Sequence, residues 1–181
     1  MLKHYKISFA SLLLLLNTLV FAQPDIDLIE LKHKPPAPEF VLPDMQNKAH
    51  SLSDYIGQPV IVTFWATWCP PCIKELPSFN RASAKLKDEN ISILGINVGE
   101  DRDTITSFQL EHDVDFTILL DEEAEELENW NTRGLPTTYI VNAEGKIVYK
   151  ATGEREWDND SIINKVRALK NSNKKTTLTK K

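Results

Sequence analysis

Apolar and polar positions along the middle of the chain predict a strand, a helix and a second strand in succession. Residues 60–65 form a nearly continuous apolar, β-branched and aromatic run, which is typical of a strand buried on both faces. Residues 73–87 then carry apolar side chains at helical spacing, namely Ile73, Leu76, Phe79, Ala82 and Leu86. Residues 91–98 predict another buried strand. This order indicates parallel strands joined by a right-handed crossover.

Smaller elements are predicted on either side of this unit. Residues 40–42 and 50–52 predict an N-terminal hairpin. The later elements are, in order, a helix over 104–112, a strand over 116–120, an amphipathic helix over 121–131, a hairpin of 137–141 with 146–151, and a last helix capped by Asp158 or Asp160 and ending near Lys170. Together these elements predict an α/β domain over residues 39–170 with a central mixed sheet flanked by helices.

The N-terminal 22 residues have the pattern of an export signal. Lys3, His4 and Lys6 precede an apolar run over residues 7–20, and small residues near Ala22 suit a signal peptidase. Cleavage after Ala22 is the favoured interpretation, and an uncleaved membrane anchor through residues 7–22 is the alternative. Either way the domain is expected to be periplasmic or on the outer face of the cytoplasmic membrane.

Two further segments lie outside the predicted domain. Residues 23–38 are polar, with Pro35, Pro36 and Pro38 clustered at the end, which favours a linker. Residues 171–181 are rich in Lys and Thr and are expected to form a disordered basic tail.

The whole chain has 181 residues and a net charge of -5, and its middle shows no basic stripe interleaved with aromatic residues. Nucleic acid is therefore not an expected partner.

The chain has only two cysteines, Cys69 and Cys72, separated by Pro70 and Pro71. A bridge that closes so small a loop removes little entropy from the unfolded chain, so it would stabilise the fold poorly. In an exported protein, such a disulfide is better explained as one that is made and broken.

The cysteines fall where the first buried strand meets the following helix. The positive end of the helix favours a thiolate at Cys69, and Cys72 lies one turn deeper, where it can attack a mixed disulfide. Pro70 and Pro71 lack N–H groups that could face the Cys69 sulfur, which limits this stabilisation and favours a reductant or a mildly poised exchanger. Trp65 and Trp68 flank the pair and are expected to give it an apolar rim.

Other uses of a Cys-x-x-Cys pair fit this sequence poorly. Structural zinc needs two more ligands, and the histidines of the predicted domain and linker are scattered without ligand spacing. Haem attachment needs His directly after Cys72, where Ile73 stands. A thiol peroxidase would need Thr and Pro before Cys69 at positions that Ala66 and Val62 occupy. No metal and no cofactor are therefore expected.

A family resemblance rests on several motifs taken together. Phe-Trp-Ala-Thr-Trp-Cys-Pro-Pro-Cys at 64–72, Pro77 in the helix and Gly-Leu-Pro-Thr-Thr at 134–138 resemble the thioredoxin superfamily, in particular its membrane-linked TlpA/ResA-type branch, over about 38–169. The resemblance implies a thioredoxin-like fold. The long interval between Cys69 and Pro136 is consistent with the extra helix-strand insertion of that branch.

The resemblance also implies roles for particular residues. Pro136 would be a cis-proline beside the cysteines, Leu135 would pair with an extended substrate, and both would shape the substrate groove with Trp68. Glu75 would assist proton transfer near the resolving Cys72, with which it shares a helix face. From the residues alone, an ordinary trans Leu-Pro turn and an exposed Glu75 stay open. Thr63 stands where thioredoxin keeps a buried Asp, so proton handling cannot be assigned there.

The function expected from this resemblance is an extracytoplasmic thiol-disulfide oxidoreductase that acts on cysteines of exported proteins. The branch implies reduction, often of apocytochrome c before haem attachment, with electrons from a membrane thiol carrier. Two alternatives stay open. One is a thioredoxin-like docking or holdase module with a vestigial cysteine pair, and the other is a mild disulfide donor or isomerase.

Overall fold

The central sheet places the cysteine pair just beyond the carboxyl end of an inner strand. The computed structural model describes residues 28–171. In that part of the chain the strands are β1 (Ile29–Glu30), β2 (Val41–Pro43), β3 (Ala49–Ser51), β4 (Val60–Trp65), β5 (Ser92–Val98), β6 (Thr117–Asp121), β7 (Thr137–Val141) and β8 (Ile147–Thr152). Six of them form one sheet in the order β1-β8-β7-β4-β5-β6, while β2 and β3 pair separately as the predicted hairpin.

Four α-helices accompany these strands within the described residues. They are α1 (Pro70–Leu86), α2 (Arg102–Gln109), α3 (Glu125–Asn129) and α4 (Asp160–Ala168), with short 3-10 turns at Leu52–Tyr55, Lys87–Glu89 and Leu169–Asn171. None of the helices between residues 28 and 171 is long and apolar enough to cross a membrane.

Strand β4 lies at the centre of the mixed sheet. It pairs in parallel with β5 and antiparallel with β7, while β5 pairs in parallel with β6 and β7 antiparallel with β8. The helix α2 and the strand β6 supply the additional helix-strand unit between the cysteines and Pro136. The predicted α/β fold with a central mixed sheet is therefore confirmed.

The two faces of the sheet bury separate apolar clusters because strand residues alternate between faces. Ile61 of β4 points into a cluster with Phe79 of α1 and Trp157. Val62 and Phe64 point to the opposite face, where their cluster includes Trp130, Tyr139 and Phe40. All six residues of β4 are buried, as the continuous apolar run predicts. A third cluster surrounds the cysteines and is described with the site below.

The segment predicted as a linker differs from that expectation where the structure describes it. Residues Ile29 and Glu30 form an edge strand on β8, and Leu28 is buried. Further along, the N–H of Ala37 donates to the carbonyl of Gly145 at 2.8 Å. Residues 28–38 therefore pack along the β7–β8 hairpin. The predicted leader (1–22) lies outside the described residues, as does all of the predicted tail beyond residue 171.

The helix predicted over 121–131 is shorter in the structure. Asp121 is the last residue of β6, and its carboxylate accepts hydrogen bonds from the N–H groups of Glu125 and Glu126, each at 3.1 Å. Ala124 adopts a left-handed backbone with φ of 57°, which no helix residue can share. The helix therefore begins only at Glu125, where the first two N–H groups of the helix donate to the Asp121 carboxylate at the end of β6.

The N-terminal caps of two other helices also differ from the sequence-based expectation. The last helix is capped by Asn159, whose side chain accepts from the N–H of Ser161 at 2.9 Å, and neither Asp158 nor Asp160 is its cap. Asp158 instead accepts from Arg81 on α1 at 2.7 Å. Helix α2 starts before residue 104, because the Asp101 side chain caps it by accepting from the N–H of Thr104 at 2.8 Å.

Candidate active site

Cys69 is the N-cap of α1, four residues after β4 ends at Trp65. It is joined to Cys72 by a disulfide, and the two Cα atoms lie 5.3 Å apart. Cys69 is 4% exposed and Cys72 is fully buried. The structure therefore brings the two predicted residues together and leaves Cys69 as the more exposed cysteine, which suits its predicted role as nucleophile.

The first turn of α1 offers the Cys69 sulfur no hydrogen-bond donor. Pro70 and Pro71 occupy the first two helical positions and have no N–H, and the Cys69 side chain makes no capping hydrogen bond. The N–H groups of Cys72 and Ile73 both donate to the Cys69 carbonyl, at 3.0 and 3.1 Å. Only the helix dipole is left to favour a thiolate at Cys69, as the two prolines predicted.

The three residues predicted to shape the substrate groove lie in two loops. Trp68 is 66% exposed, directly before Cys69. The Leu135–Pro136 peptide bond is cis, as the family resemblance implied, and the half-buried Leu135 packs against the cluster that contains both cysteines. Trp65 differs from the expectation of an apolar rim, because it is buried and packs against Phe108 with ring centroids 5.6 Å apart. Of these two tryptophans, Trp68 alone presents an exposed aromatic surface beside the pair.

Glu75 is buried in the interior of α1 and is not the exposed residue that the sequence left open. It is 2% exposed and lies one turn after Cys72 on the same helix face. Burial raises the pKa of Glu75 to about 8, and a hydrogen bond from the indole N–H of Trp157 at 3.0 Å offsets part of this effect. At neutral pH the group therefore holds a proton in the folded, disulfide-bonded state.

Thr63 carries no ionisable group, in contrast to the buried Glu75 one turn after Cys72 on α1. Thr63 is buried in β4, and its hydroxyl accepts a hydrogen bond from the hydroxyl of Thr138 at 2.8 Å. Neither threonine hydroxyl ionises near neutral pH, so this pair cannot serve as the proton donor or acceptor of the site. Within the part of the chain that the structure describes, no group of His, Cys, Asp and Glu side chains could hold a metal ion.

Glu100, which no sequence motif singled out, holds the loop before Cys69. Its carboxylate accepts from the N–H of Thr67 at 2.8 Å, from the Thr67 hydroxyl, and from the side-chain amide of Asn97 at 2.8 Å. One pattern could have revealed it. Glu100 follows β5, and the carboxyl ends of the parallel strands β4 and β5 meet at one edge of the sheet, where polar side chains converge on functional loops.

Arg155 and Trp157 were also missed, although both contact the surroundings of Glu75. They lie in the loop between β8 and α4, and Trp157 is almost fully buried. The sequence offered one signal for them, which is a tryptophan within the polar stretch 154–158. A large aromatic residue in such a stretch indicates a loop that is anchored in the core. Only the tertiary fold identifies Glu75 as its hydrogen-bond acceptor.

These features define the class of protein. A buried strand that leads into a helix capped by the first cysteine of a Cys-x-x-Cys pair, with a cis-proline loop beside it, is the arrangement of a thioredoxin-like thiol-disulfide oxidoreductase. The chain belongs to the AhpC/TSA family, whose sequence profile matches residues 34–150.

Curated proteins and solved structures agree with this class. The thiol-disulfide oxidoreductase ResA of Bacillus subtilis is 38% identical over 117 residues, which are 65% of this chain and 65% of that protein. The match thus spans slightly less than two thirds of the relative's length. The thioredoxin domain of a thiol-disulfide oxidoreductase from Bacteroides vulgatus superimposes with a TM-score of 0.66 at 26% identity, covering 77% of this chain and 98% of that one.

A further structural likeness comes from a lipoprotein. The exposed lipoprotein thioredoxin of Streptococcus pneumoniae superimposes with a TM-score of 0.63 at 26% identity, covering 72% of this chain and 98% of that one. The predicted family resemblance is therefore confirmed, and a thiol-disulfide redox role is supported by proteins that share both the fold and part of the sequence.

Proposed function

We propose that the protein is an extracytoplasmic thiol-disulfide oxidoreductase that reduces disulfides in exported proteins. The observation that carries this proposal is the position of Cys69, which is the N-cap of α1 and is disulfide-bonded to the more deeply buried Cys72. Such a pair can pass between dithiol and disulfide without unfolding the domain, because both sulfurs lie within a single helical turn.

The reaction transfers two electrons from the dithiol to the substrate. The Cys69 thiolate attacks one sulfur of the substrate disulfide, forms a mixed disulfide and releases the other substrate sulfur as a thiolate. Cys72 then attacks the sulfur of Cys69, which forms the Cys69–Cys72 disulfide and releases the second substrate thiol. A dithiol donor must reduce the pair again before the next turnover.

Glu75 supplies the buried proton transfer that this cycle needs. In the disulfide form its raised pKa keeps it protonated at neutral pH, so it can protonate the Cys72 thiolate when the pair is reduced. The resulting carboxylate can take the proton back when Cys72 attacks the mixed disulfide. Trp68, Leu135 and Pro136 are assigned to the groove that receives the substrate segment.

Two features of the site favour the reducing direction. The Cys69 sulfur has no hydrogen-bond donor from the first turn, and the carboxylate of Glu100 lies behind Thr67, two residues before Cys69. Both features disfavour a thiolate and therefore favour the disulfide form, which is the product when the protein acts as a reductant.

The proposed partners are exported proteins with cysteine pairs, including apocytochrome c, and a membrane thiol carrier as electron donor. The residues 1–22 support this assignment through their basic start and apolar run, with residues 7–22 as the anchor if the leader is kept. The likeness to an exposed lipoprotein thioredoxin agrees with a location outside the cytoplasm.

Reduction of insulin disulfides tests the proposed chemistry. Cys69→Ser should abolish turnover, and Cys72→Ser should accumulate a mixed disulfide with the substrate, because the resolving thiol is missing. A redox titration against glutathione should give a potential well below that of a strong disulfide donor. Turnover by Cys69→Ser equal to the native protein would contradict the proposal, and client binding that survives loss of both cysteines would favour a docking module.

A further inference from the structure

The carboxyl group of Glu75 is held from outside its own helix by the loop between β8 and α4. The indole N–H of Trp157 donates to Glu75 Oε2 at 3.0 Å. The Trp157 ring is in turn fixed by Phe79 of α1, with stacked ring centroids 4.8 Å apart and an interplanar angle of 13°. The donor is therefore held in place by aromatic packing on the same helix that carries Glu75.

Arg155 completes this arrangement from the same loop. It is 7% exposed, its Nη2 donates to the Thr152 carbonyl at 2.9 Å, and its guanidinium lies over the Trp157 ring at 5.6 Å. Its positive charge acts on Glu75 through the low-dielectric interior. Two buried polar atoms here, Arg155 Nη1 and Glu75 Oε1, have no hydrogen-bond partner within the described residues. An arginine that is buried without a full set of partners needs a reason, because its desolvation is costly.

We propose that Arg155 and Trp157 are positioning residues, which hold the carboxyl group of Glu75 one helical turn after Cys72 and set the pH at which it exchanges its proton with Cys72. This inference rests on the proposed role of Glu75 in thiol-disulfide exchange. The two residues act through Glu75 and contact no sulfur themselves.

The charged and titratable groups around Glu75 determine in which direction its pKa shifts when Arg155 or Trp157 is replaced. Burial raises the pKa of Glu75, and the charge of Glu154 adds to this, although Lys74 partly neutralises Glu154 through an ion pair at 2.8 Å. The Trp157 N–H, the backbone N–H of Arg155 and then the Arg155 charge favour the carboxylate and lower the pKa of Glu75. On its own helix, Glu75 lies one turn after Cys72, which does not titrate in the disulfide form. Removal of either positioning residue should therefore raise the pKa of Glu75 further.

A direct measurement is a ¹³C NMR titration of the Glu75 carboxyl carbon in the oxidised protein, with Glu75→Gln used to assign the resonance. Trp157→Phe keeps the aromatic stacking and removes the N–H donor, and we expect the titration midpoint to move up by about one pH unit. Arg155→Met removes the positive charge and should move the midpoint in the same direction. These two variants alter different groups, so agreement between them identifies the carboxyl environment as the cause.

Matched control variants separate this effect from general destabilisation. Trp130→Phe removes another buried indole N–H, which has no hydrogen-bond partner within residues 28–171 and belongs to the opposite cluster. Arg102→Met removes an arginine from the first turn of α2, where its guanidinium donates to the Asp44 carbonyl at 2.9 Å and to the Asn47 side chain at 2.8 Å, away from the loop that carries Trp157. Both controls should leave the Glu75 titration midpoint unchanged.

The consequence for exchange is tested by the pH profile of insulin reduction. Trp157→Phe should shift the limb of the profile that reports Glu75, and should have no such effect in a Glu75→Gln background. Unchanged Glu75 midpoints in both Trp157→Phe and Arg155→Met would overturn this inference. A pH profile that Glu75→Gln leaves unaltered would instead refute the proposed proton role of Glu75, and the NMR midpoints would still decide whether the two residues control its proton.

Discussion

The carboxylate of Glu100 accepts hydrogen bonds from both the backbone N–H and the side-chain hydroxyl of Thr67, two residues before Cys69. Glu100 follows β5 and Thr67 follows β4, so this contact joins the ends of two neighbouring parallel strands. The N–H of Cys69 donates to the carbonyl of Ala66 at 3.2 Å, which continues the same loop. The position of the reactive cysteine therefore depends on a carboxylate that lies 31 positions further along the chain.

Glu100→Gln should loosen this loop. One oxygen of the Glu100 carboxylate accepts from the Thr67 hydroxyl, and the other accepts from the Thr67 N–H and the Asn97 amide. A glutamine side chain has a single acceptor oxygen, so it cannot accept all three hydrogen bonds. We expect a loss of about 1–3 kcal/mol in the free energy of unfolding and a slower reduction of insulin. Chemical denaturation and the insulin assay measure the two effects.

Glu111→Gln is the control for this prediction, since it removes an exposed carboxylate from the loop after α2. Its stability and activity should match those of the native protein. If Glu100→Gln were as stable and as active as this control, the anchoring role of Glu100 would be wrong.

The buried carboxyl group of Glu75 should make stability depend on pH. Its folded pKa of about 8 lies above the ordinary value of 4.5, so the folded state keeps a proton that the unfolded chain releases. The contribution of Glu75 is complete below about pH 4.5 and is lost as the pH rises through 8, at a slope approaching 1.4 kcal/mol per pH unit. Denaturation of the oxidised protein between pH 4 and 9 measures it, and the difference from Glu75→Gln isolates this group. Parallel curves for the two proteins would show that Glu75 titrates normally.

Gly95→Ala should destabilise the middle of β5. A Cβ atom there would lie 2.6 Å from Cε2 of Phe116 and 3.0 Å from Nε1 of Trp65, both of which are packed rings. We expect a cost of about 1–3 kcal/mol, because neither ring can move without disturbing the core. Gly134→Ala provides the comparison, since a Cβ atom at that position meets nothing within 4 Å. Thermal unfolding of the two variants should separate them clearly, and equal transition temperatures would contradict the packing argument.

The hairpin of β2 and β3 should depend on Asp44 more than on Tyr55. The Asp44 carboxylate accepts from the N–H groups of Gln46 and Lys48 and lies 2.9 Å from Nε2 of His50, whereas the Tyr55 hydroxyl has a single contact with Nδ1 of His50 at 2.8 Å. Asp44→Ala should therefore lower the free energy of unfolding by about 2–3 kcal/mol, and Tyr55→Phe by about 1 kcal/mol. Urea denaturation tests this order, and the reverse order would refute it.

Several parts of the fold could be predicted from local patterns. The run at 60–65 identified β4, and helical spacing after residue 73 identified α1, because burial on two faces or on one helix stripe leaves a periodic trace in neighbouring residues. The short β1 left no such trace, since two exposed residues on a sheet edge have no apolar periodicity. Helix α3 was predicted too long because the acidic residues of segment 121–131 resemble the solvent-facing side of an amphipathic helix. In the structure, Asp121 ends β6 and accepts from the N–H groups of Glu125 and Glu126.

The sequence by itself determined where the redox chemistry is, because the two cysteines, their prolines and the strand-to-helix junction are neighbours along the chain. Only the tertiary structure decided what surrounds them. Glu100 reaches Thr67 across two parallel strands, and Trp157 reaches Glu75 from a loop 82 positions away. A hydrogen bond between distant residues leaves no periodic pattern, since it depends on the packing of whole elements. For the same reason the burial that raises the pKa of Glu75 appears only once the sheet, α1 and the loop before α4 are assembled.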